Sequence, residues 1–354
     1  MPHHVTNPYR GQDSADRFGP QRPSAEVEAV EQLLALCPKH RETPLRAVSA
    51  LAHAAGVGEV WIKDERQRMG LGSFKALGAA YCIARDAAAA REATPDLAWE
   101  ETLKGRAYAT ASAGNHGLSL AAGARLFGAR AVIYLAETVP EAFAERLRGI
   151  GAEVVRAGAD YEASMEAAAK GAEVDGLSLL SDGSWPGYTE RPYRVMEGYT
   201  QMAAEAVAQM PEPPTDILLQ AGVGGLAAAV AAYARRAWGD VPRITVVEPV
   251  FAPALIASIE AGKLVETTGP VSEMGRLDCK TPSMVALAGL AHDADAFVTI
   301  TEEQAAAGVA TLADHDLATT PSGGAGLAAL LAGVPGLGKD ARVLTILSEG
   351  PEDG

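Results

Sequence analysis

The sequence predicts an α/β protein of two lobes, each with a largely parallel sheet flanked by helices. Three observations carry that expectation. Short apolar runs without polar alternation recur along the chain, as strands buried on both faces require. Alanine-rich segments of helical length separate them, and glycine-bearing turns follow several of them. At 354 residues and 48% hydrophobic, the chain is long enough to divide its core between two lobes.

In chain order, residues 1–24 are polar and rich in Pro, Gly and Arg (Asn7-Pro8-Tyr9-Arg10-Gly11), predicting an arm that packs on the body or on a partner. The runs 59–62, 131–135, 217–219, 244–247 and 343–347 are too brief for helices and read as strands. Residues 73–91, 116–127 (closed by Gly128) and 141–149 (started by Pro140) read as helices. A further helix over 194–210 must stop at Pro211-Glu212-Pro213-Pro214, and a strand over 216–220 begins after it. Residues 227–236 form the next helix. The alanine content reflects helix propensity and points to no function. No internal repeat or low-complexity tail is visible.

The formal charge of −15 argues against nucleic acid or an anionic membrane surface as partner, since both need basic patches. An anionic cofactor then has to be held by backbone donors. Cys37, Cys82 and Cys279 have no metal-like spacing, so neither a disulfide framework nor a metal site is expected, and a reducing cytoplasm fits. His3 and His4 read as a chain end. No export signal and no membrane-spanning run is present.

The chemistry concentrates in three glycine-bearing segments. Gly72-Ser73-Phe74-Lys75 places an amine beside a tight turn, where burial favours the neutral form that attacks an aldehyde. Ser112-Ala113-Gly114-Asn115-His116-Gly117 gathers a hydroxyl, an amide and an imidazole into a cradle for a carboxylate or ring oxygen. Gly222-Val223-Gly224-Gly225-Leu226, between a strand and a helix, converges N–H groups on a phosphate. The last segment has a rival reading: Gly222, Gly224 and Ala227 fit a dinucleotide fingerprint, with Glu248 about twenty residues on as the ribose acceptor. Against that reading, Lys75 and the Ser112–Gly117 turn would have no role in a nucleotide enzyme. A pyridoxal enzyme needs an amine, a ring-contacting loop and a monophosphate loop.

The order Thr43-Pro44-Leu45, Lys63-Asp64-Glu65, Gly72–Lys75, Ser112–Gly117, Gly222–Leu226 and Ser348-Glu349-Gly350 resembles the fold type II (tryptophan synthase β-like) pyridoxal phosphate family from about residue 40 onward. Within it the segments Gly70–Gly78, Trp185-Pro186-Gly187-Tyr188, Met196-Glu197-Gly198-Tyr199 and Leu218–Gly224 resemble the diaminopropionate ammonia-lyases, and fewer places resemble threonine/serine dehydratases. The resemblance implies pyridoxal 5'-phosphate as cofactor, with Lys75 as Schiff-base lysine and mover of the Cα proton. It implies Asn115 on the phenolic oxygen, Gly222, Val223, Gly224, Gly225 and Leu226 on the phosphate, and Ser348 facing the pyridine nitrogen. A neutral hydroxyl there moderates the electron sink.

By the same resemblance Ser112, Asn115 and His116 take the substrate carboxylate, although His116 reads equally as a structural histidine, and Asp182 lies near the substrate amine. Ser322 lines the pocket or caps a helix, and Glu349 caps or lines it. Two positions depart from the lyases. The aspartate that precedes their Gly-Asn-His-Gly run is Ala113 here, as in threonine dehydratases, and the acidic residue after their tryptophan is Pro186.

The resulting expectation is an ammonia-lyase that eliminates the β-substituent of a small amino acid to leave a 2-keto acid and ammonia. A threonine/serine dehydratase and a non-catalytic ligand-binding member of the fold are the alternatives. Residues 1–78 plus 196–354 are expected to form a large cofactor-binding domain and 79–195 a small mobile one, with no regulatory domain after them. A homodimer is expected.

Overall fold

Among the described residues eleven strands form, where short apolar runs end in turns. They are β1 (His4–Thr6), β2 (Leu45–Ala47), β3 (Glu59–Asp64), β4 (Ala107–Ala111), β5 (Arg130–Leu135), β6 (Glu153–Arg156), β7 (Ser178–Leu179), β8 (Asp216–Gln220), β9 (Arg243–Pro249), β10 (Ala296–Ile300) and β11 (Arg342–Leu347). The computed structural model describes residues 3–351, so the first two residues of the predicted arm lie outside it.

The strands make two sheets. A seven-stranded sheet runs β1-β10-β9-β8-β11-β3-β2, and a four-stranded sheet runs β6-β5-β4-β7. The five central strands of the larger sheet are parallel and its two edge strands antiparallel. The smaller sheet is parallel throughout. Parallel neighbours require crossovers, and the helices Asn115–Leu126, Glu141–Gly149 and Gly225–Trp238 supply three of them, while Tyr161–Asp175 carries the chain from β6 to β7 at the opposite edge. Every residue of β8 is buried. Ile217, Leu218 and Leu219 have no exposed surface, each contributing about 2 kcal/mol by burial.

The arm packs on this chain's own body. β1 pairs with β10, and the Asn7 amide donates to the Leu290, Ala291 and Ala294 carbonyls at 3.3, 2.8 and 2.6 Å. These carbonyls lie at the end of the helix Met284–Asp293, where intrahelical donors run out, and Leu290 also accepts the Ala294 N–H.

One predicted helix is broken. Residues 73–91 form a 3₁₀ turn over Phe74–Leu77 and then a helix over Ala79–Ala93, with the break at Gly78. The Tyr199 ring presses on that position, and a Cβ at Gly78 would lie 2.6 Å from its Cε1. Lys75 therefore sits on a short turn rather than on a regular helix.

Beneath this turn lies a buried neutral cluster. Arg68 reaches Glu65 and Glu205 at 2.7 Å, and Lys63 reaches Glu205 at 2.7 Å. Burial pushes the Glu205 carboxyl up, but Arg68 and Lys63 outweigh it and hold the group at about 2. Two cations against two carboxylates remove net charge from the core. The cluster anchors the segment between β3 and Lys75.

The candidate residues share one topological position. Lys75 follows β3, Ser112–Gly117 follows β4, Asp182 follows β7, Gly222–Leu226 follows β8 and Ser348 follows β11. All lie beyond the carboxyl ends of parallel strands, where open α/β sheets present their ligand crevices. Among the described residues no helix is long and apolar enough to cross a membrane.

Candidate active site

Lys75 is held by local chemistry and by β11. The extended Ser73 places its Oγ to accept the Lys75 N–H at 3.3 Å. The Phe74 N–H donates to the Ser348 carbonyl, and the Gly350 N–H to the Gly72 carbonyl, both at 3.0 Å. The lysine turn and the Ser348-Glu349-Gly350 segment thus form one unit.

The Lys75 ammonium pairs with the Asp182 carboxylate. Burial pushes the ammonium toward neutrality, but the touching carboxylate outweighs it and raises the pKa above lysine's ordinary value. Burial likewise pushes Asp182 up, while Lys75 and then His116 hold it below the usual carboxylate range. This corrects the expectation of a partly neutral lysine, because the turn buries the amine with an anion beside it. Asp182 is correspondingly no solvated turn carboxylate. The buried Tyr199 hydroxyl faces Lys75.

Gly222–Leu226 forms a cradle. Gly224 has φ +99, and the helix Gly225–Trp238 starts behind it. The N–H groups of Gly224, Gly225 and Leu226 donate to no acceptor among the described residues. A Cβ at Gly222 would lie 3.0 Å from the Cys279 Sγ and from the Arg276 carbonyl oxygen, so only a glycine leaves the loop open. Convergent unpaired donors at a helix N-terminus fit a phosphate. Burial pushes the Cys279 thiol up to about 12, keeping it neutral there.

Glu248 removes the dinucleotide alternative. Its carboxyl accepts the Leu255 and Ile256 N–H groups at 2.8 Å each, capping the helix Ala254–Ala261. It is 1% exposed, and burial pushes it up to about 8. A buried cap cannot receive a ribose.

Glu349 spans the two sheets' loops. It accepts from the Asn115 amide and the Thr320 hydroxyl, and pairs with Arg276 at 2.8 Å. In this structure the Asn115 amide is therefore directed at Glu349. Ser322 is not a helix cap: Gly324 holds that position, and the Ser322 Oγ accepts the Arg276 N–H at 3.1 Å. Ser348 is 5% exposed, and its hydroxyl has no partner among the described residues, which suits an apposed ring nitrogen.

The Ser112 Oγ accepts the Gly114 and Gly117 N–H groups at 3.3 and 3.2 Å, fixing the turn. His116 Nε2 lies 2.8 Å from the Leu180 carbonyl oxygen. Only an N–H bonds a carbonyl, so the neutral tautomer leaves Nδ1 as a bare acceptor, and Nδ1 is unpartnered. An acceptor repels a carboxylate, so the geometry favours the structural reading of His116.

Sequence reasoning missed Arg276 and Tyr199. Arg276 sits in a long loop without a motif, and its only signal was the buried Glu349, which needs a cation. Tyr199 lay within a segment noted only for its resemblance. Among the described residues no group of three or more His, Cys, Asp or Glu could hold a metal ion.

The cradle makes a prediction. A Cβ at Gly225 meets Met196 and Tyr199 at an ordinary 3.6 Å, whereas Gly224 needs its left-handed φ. Gly225→Val is expected to weaken cofactor affinity at least about tenfold with little loss of thermal stability, while Gly224→Val loses both. Cofactor titration of dilute protein beside a melting curve checks this, and full occupancy in both variants would place the cradle elsewhere.

Comparison with known proteins agrees with this geometry. The sequence profile described as pyridoxal-phosphate dependent enzyme matches residues 36–349. Diaminopropionate ammonia-lyase of Escherichia coli (strain K12) is 32% identical over 340 residues, spanning 89% of this chain and 85% of that protein. A crystal structure of the Escherichia coli enzyme in complex with D-serine matches with a TM-score of 0.85 at 29% identity, covering 99% of this chain and 94% of that one. The chloroplastic biosynthetic threonine dehydratase 1 of Solanum lycopersicum is 32% identical over 224 residues, 63% of this chain and 33% of that protein.

Proposed function

The chain belongs to the pyridoxal-phosphate dependent enzymes, of fold type II, and on that premise we propose that it is an ammonia-lyase acting on a small β-substituted amino acid of the 2,3-diaminopropionate kind. The Lys75–Asp182 pair, beside the Tyr199 and Cys279 side chains that also border the open glycine loop, carries the proposal. Pyridoxal phosphate, when bound, supplies the electron sink that makes a Cα proton removable.

The chain's own residues do the rest. Lys75 binds the cofactor and then moves the proton at Cα. Gly222–Leu226 holds the phosphate through backbone N–H groups, Ser348 presents a neutral hydroxyl to the ring nitrogen, and Asn115 turns from Glu349 to the ring oxygen. Ser112 and Asn115 receive the substrate carboxylate. Asp182 orients the substrate amine or protonates the departing group. Residues 79–195 act as a small mobile domain against 1–78 plus 196–354, consistent with a separate sheet in each. The proposal includes a homodimer in the cytoplasm, in keeping with three free thiols.

Threonine/serine dehydration is the second reading, favoured by Ala113. Stoichiometry separates the two. Elimination of a β-amino group yields two ammonia per keto acid after hydrolysis, and elimination of a β-hydroxyl yields one. Ammonia and keto acid measured across both enantiomers of 2,3-diaminopropionate, serine and threonine test the proposal; activity confined to hydroxyamino acids would overturn it. A strong L preference is expected. Lys75 and Asp182 are in contact, so they do not act as bases on opposite faces of a substrate, and Ala113 has no proton to move. Equal rates on the two diaminopropionate enantiomers would contradict this, and Ala113→Asp should gain D activity.

A further inference from the structure

Asp182 lies in a loop pinned at both ends. On one side the Tyr188 hydroxyl donates to the Leu179 carbonyl at 2.9 Å and accepts the Ser181 N–H at 3.0 Å. The Tyr188 ring stacks on Trp185, with centroids 4.4 Å apart and planes 17° from parallel. This holds the loop to the end of the smaller sheet.

On the other side the loop is tied to the larger sheet's body. The Ser184 and Ser283 hydroxyls are 2.7 Å apart, and the Ser184 N–H donates to the Ser283 Oγ at 3.2 Å. The Val285 N–H donates to the Ser184 Oγ at 2.9 Å, and the Met284 N–H to the Ser184 carbonyl at 3.0 Å. Both serines are buried, at 4% and 1% exposure. The Ser283 N–H donates in turn to the Val223 carbonyl, inside the glycine loop, at 3.0 Å. A continuous run of hydrogen bonds therefore leads from the proposed phosphate cradle, through Ser283 and Ser184, to a point two residues from Asp182.

We propose that the Ser184–Ser283 hydroxyl pair couples occupancy of the glycine loop to the placement of Asp182, making Ser283 a positioning residue for the elimination. The inference rests on the reading of Gly222–Leu226 as phosphate cradle and Asp182 as proton-handling group. Its physical need is plain. Were Lys75 to condense with the aldehyde, releasing water, its nitrogen would be committed to that bond and no longer free to hold Asp182 as an ammonium, so the ion pair would weaken as the cradle fills. The serine pair then remains, beside the Met284 and Val285 N–H bonds to Ser184, as a tie to the larger body, and it starts from the loop that the phosphate orders.

Hydrogen exchange on protein freed of cofactor tests the coupling without reference to turnover. In the native chain, inorganic phosphate and pyridoxal phosphate, added separately, should each slow exchange of the amides of residues 181–188 about tenfold, the worth of roughly one net hydrogen bond. Ser283→Ala keeps the backbone tie to Val223 and loses the side-chain tie to Ser184. It should still bind pyridoxal phosphate, but the added protection of 181–188 should fall severalfold, because only the Met284 and Val285 bonds to Ser184 remain. At saturating cofactor its kcat should fall about tenfold or more, with a smaller change in KM. Ser283→Thr, which keeps the hydroxyl, should restore part of both effects, and Ser184→Ala should reproduce the loss.

Undiminished protection in Ser283→Ala would overturn the proposal. So would protection by pyridoxal phosphate without any by inorganic phosphate, which would route the coupling through Lys75. Full turnover in Asp182→Asn beside intact coupling would instead refute the role assigned to Asp182.

Discussion

Lys75→Ala protein is expected to fold, to lack the yellow absorbance of the bound cofactor, and to turn over at least about ten-thousandfold more slowly. The substitution removes both the amine that captures the aldehyde and the group that moves the Cα proton. The turn survives it, because Ser73, Phe74 and Gly72 are held through backbone atoms and the Ser73 hydroxyl. Asp182, deprived of its ammonium, should titrate at higher pH than in the native chain. Borohydride reduction followed by intact-mass measurement checks the assignment. The native chain should gain one reduced cofactor mass and the variant none. A fixed adduct elsewhere on the variant would sink the role of Lys75.

Asp182→Asn should move two observables in opposite directions. Turnover should fall about a hundredfold or more if the carboxylate orients the amine or protonates the leaving group. Cofactor capture near neutral pH should become faster, because only a neutral amine attacks an aldehyde. The sign follows from the pair. The raised Lys75 pKa stabilises the fold below lysine's ordinary value of 10.5 and ceases to do so as pH rises through the folded value. The lowered Asp182 pKa stabilises the fold above 3.8 and ceases to do so as pH falls through its folded value. With asparagine at 182 the burial of Lys75 is no longer offset, so its pKa drops and more amine is neutral at a given pH. Stopped-flow mixing of cofactor with apoprotein between pH 6.5 and 9 reads this directly. An unchanged pH profile would show that Asp182 does not govern the lysine.

The part of the fold legible in the sequence was the part governed by local chemistry. The run 217–219 emerges as the centre of β8 because unbroken apolar residues suit a strand covered on both faces. The proline-rich stop after residue 210 and the glycine turn after β8 likewise act within a few residues. The predicted helix over 73–91 failed at Gly78 for a distant reason: the Tyr199 ring comes from another part of the chain and occupies the space beside that glycine. The small strands β2 and β7 carry too few residues to show a periodicity.

By itself, then, the sequence determined an α/β chain with a lysine turn and a glycine loop suited to pyridoxal phosphate, because turns and strands are written in neighbouring residues. The tertiary structure alone decided what each polar group faces. Lys75 meets Asp182 from 107 positions away, and Asn115 meets Glu349 from 234 away. Glu248, placed by spacing as a ribose acceptor, caps a helix instead. Charge states and hydrogen-bond roles depend on what lies within a few ångströms in space, and no spacing along the chain reports that distance.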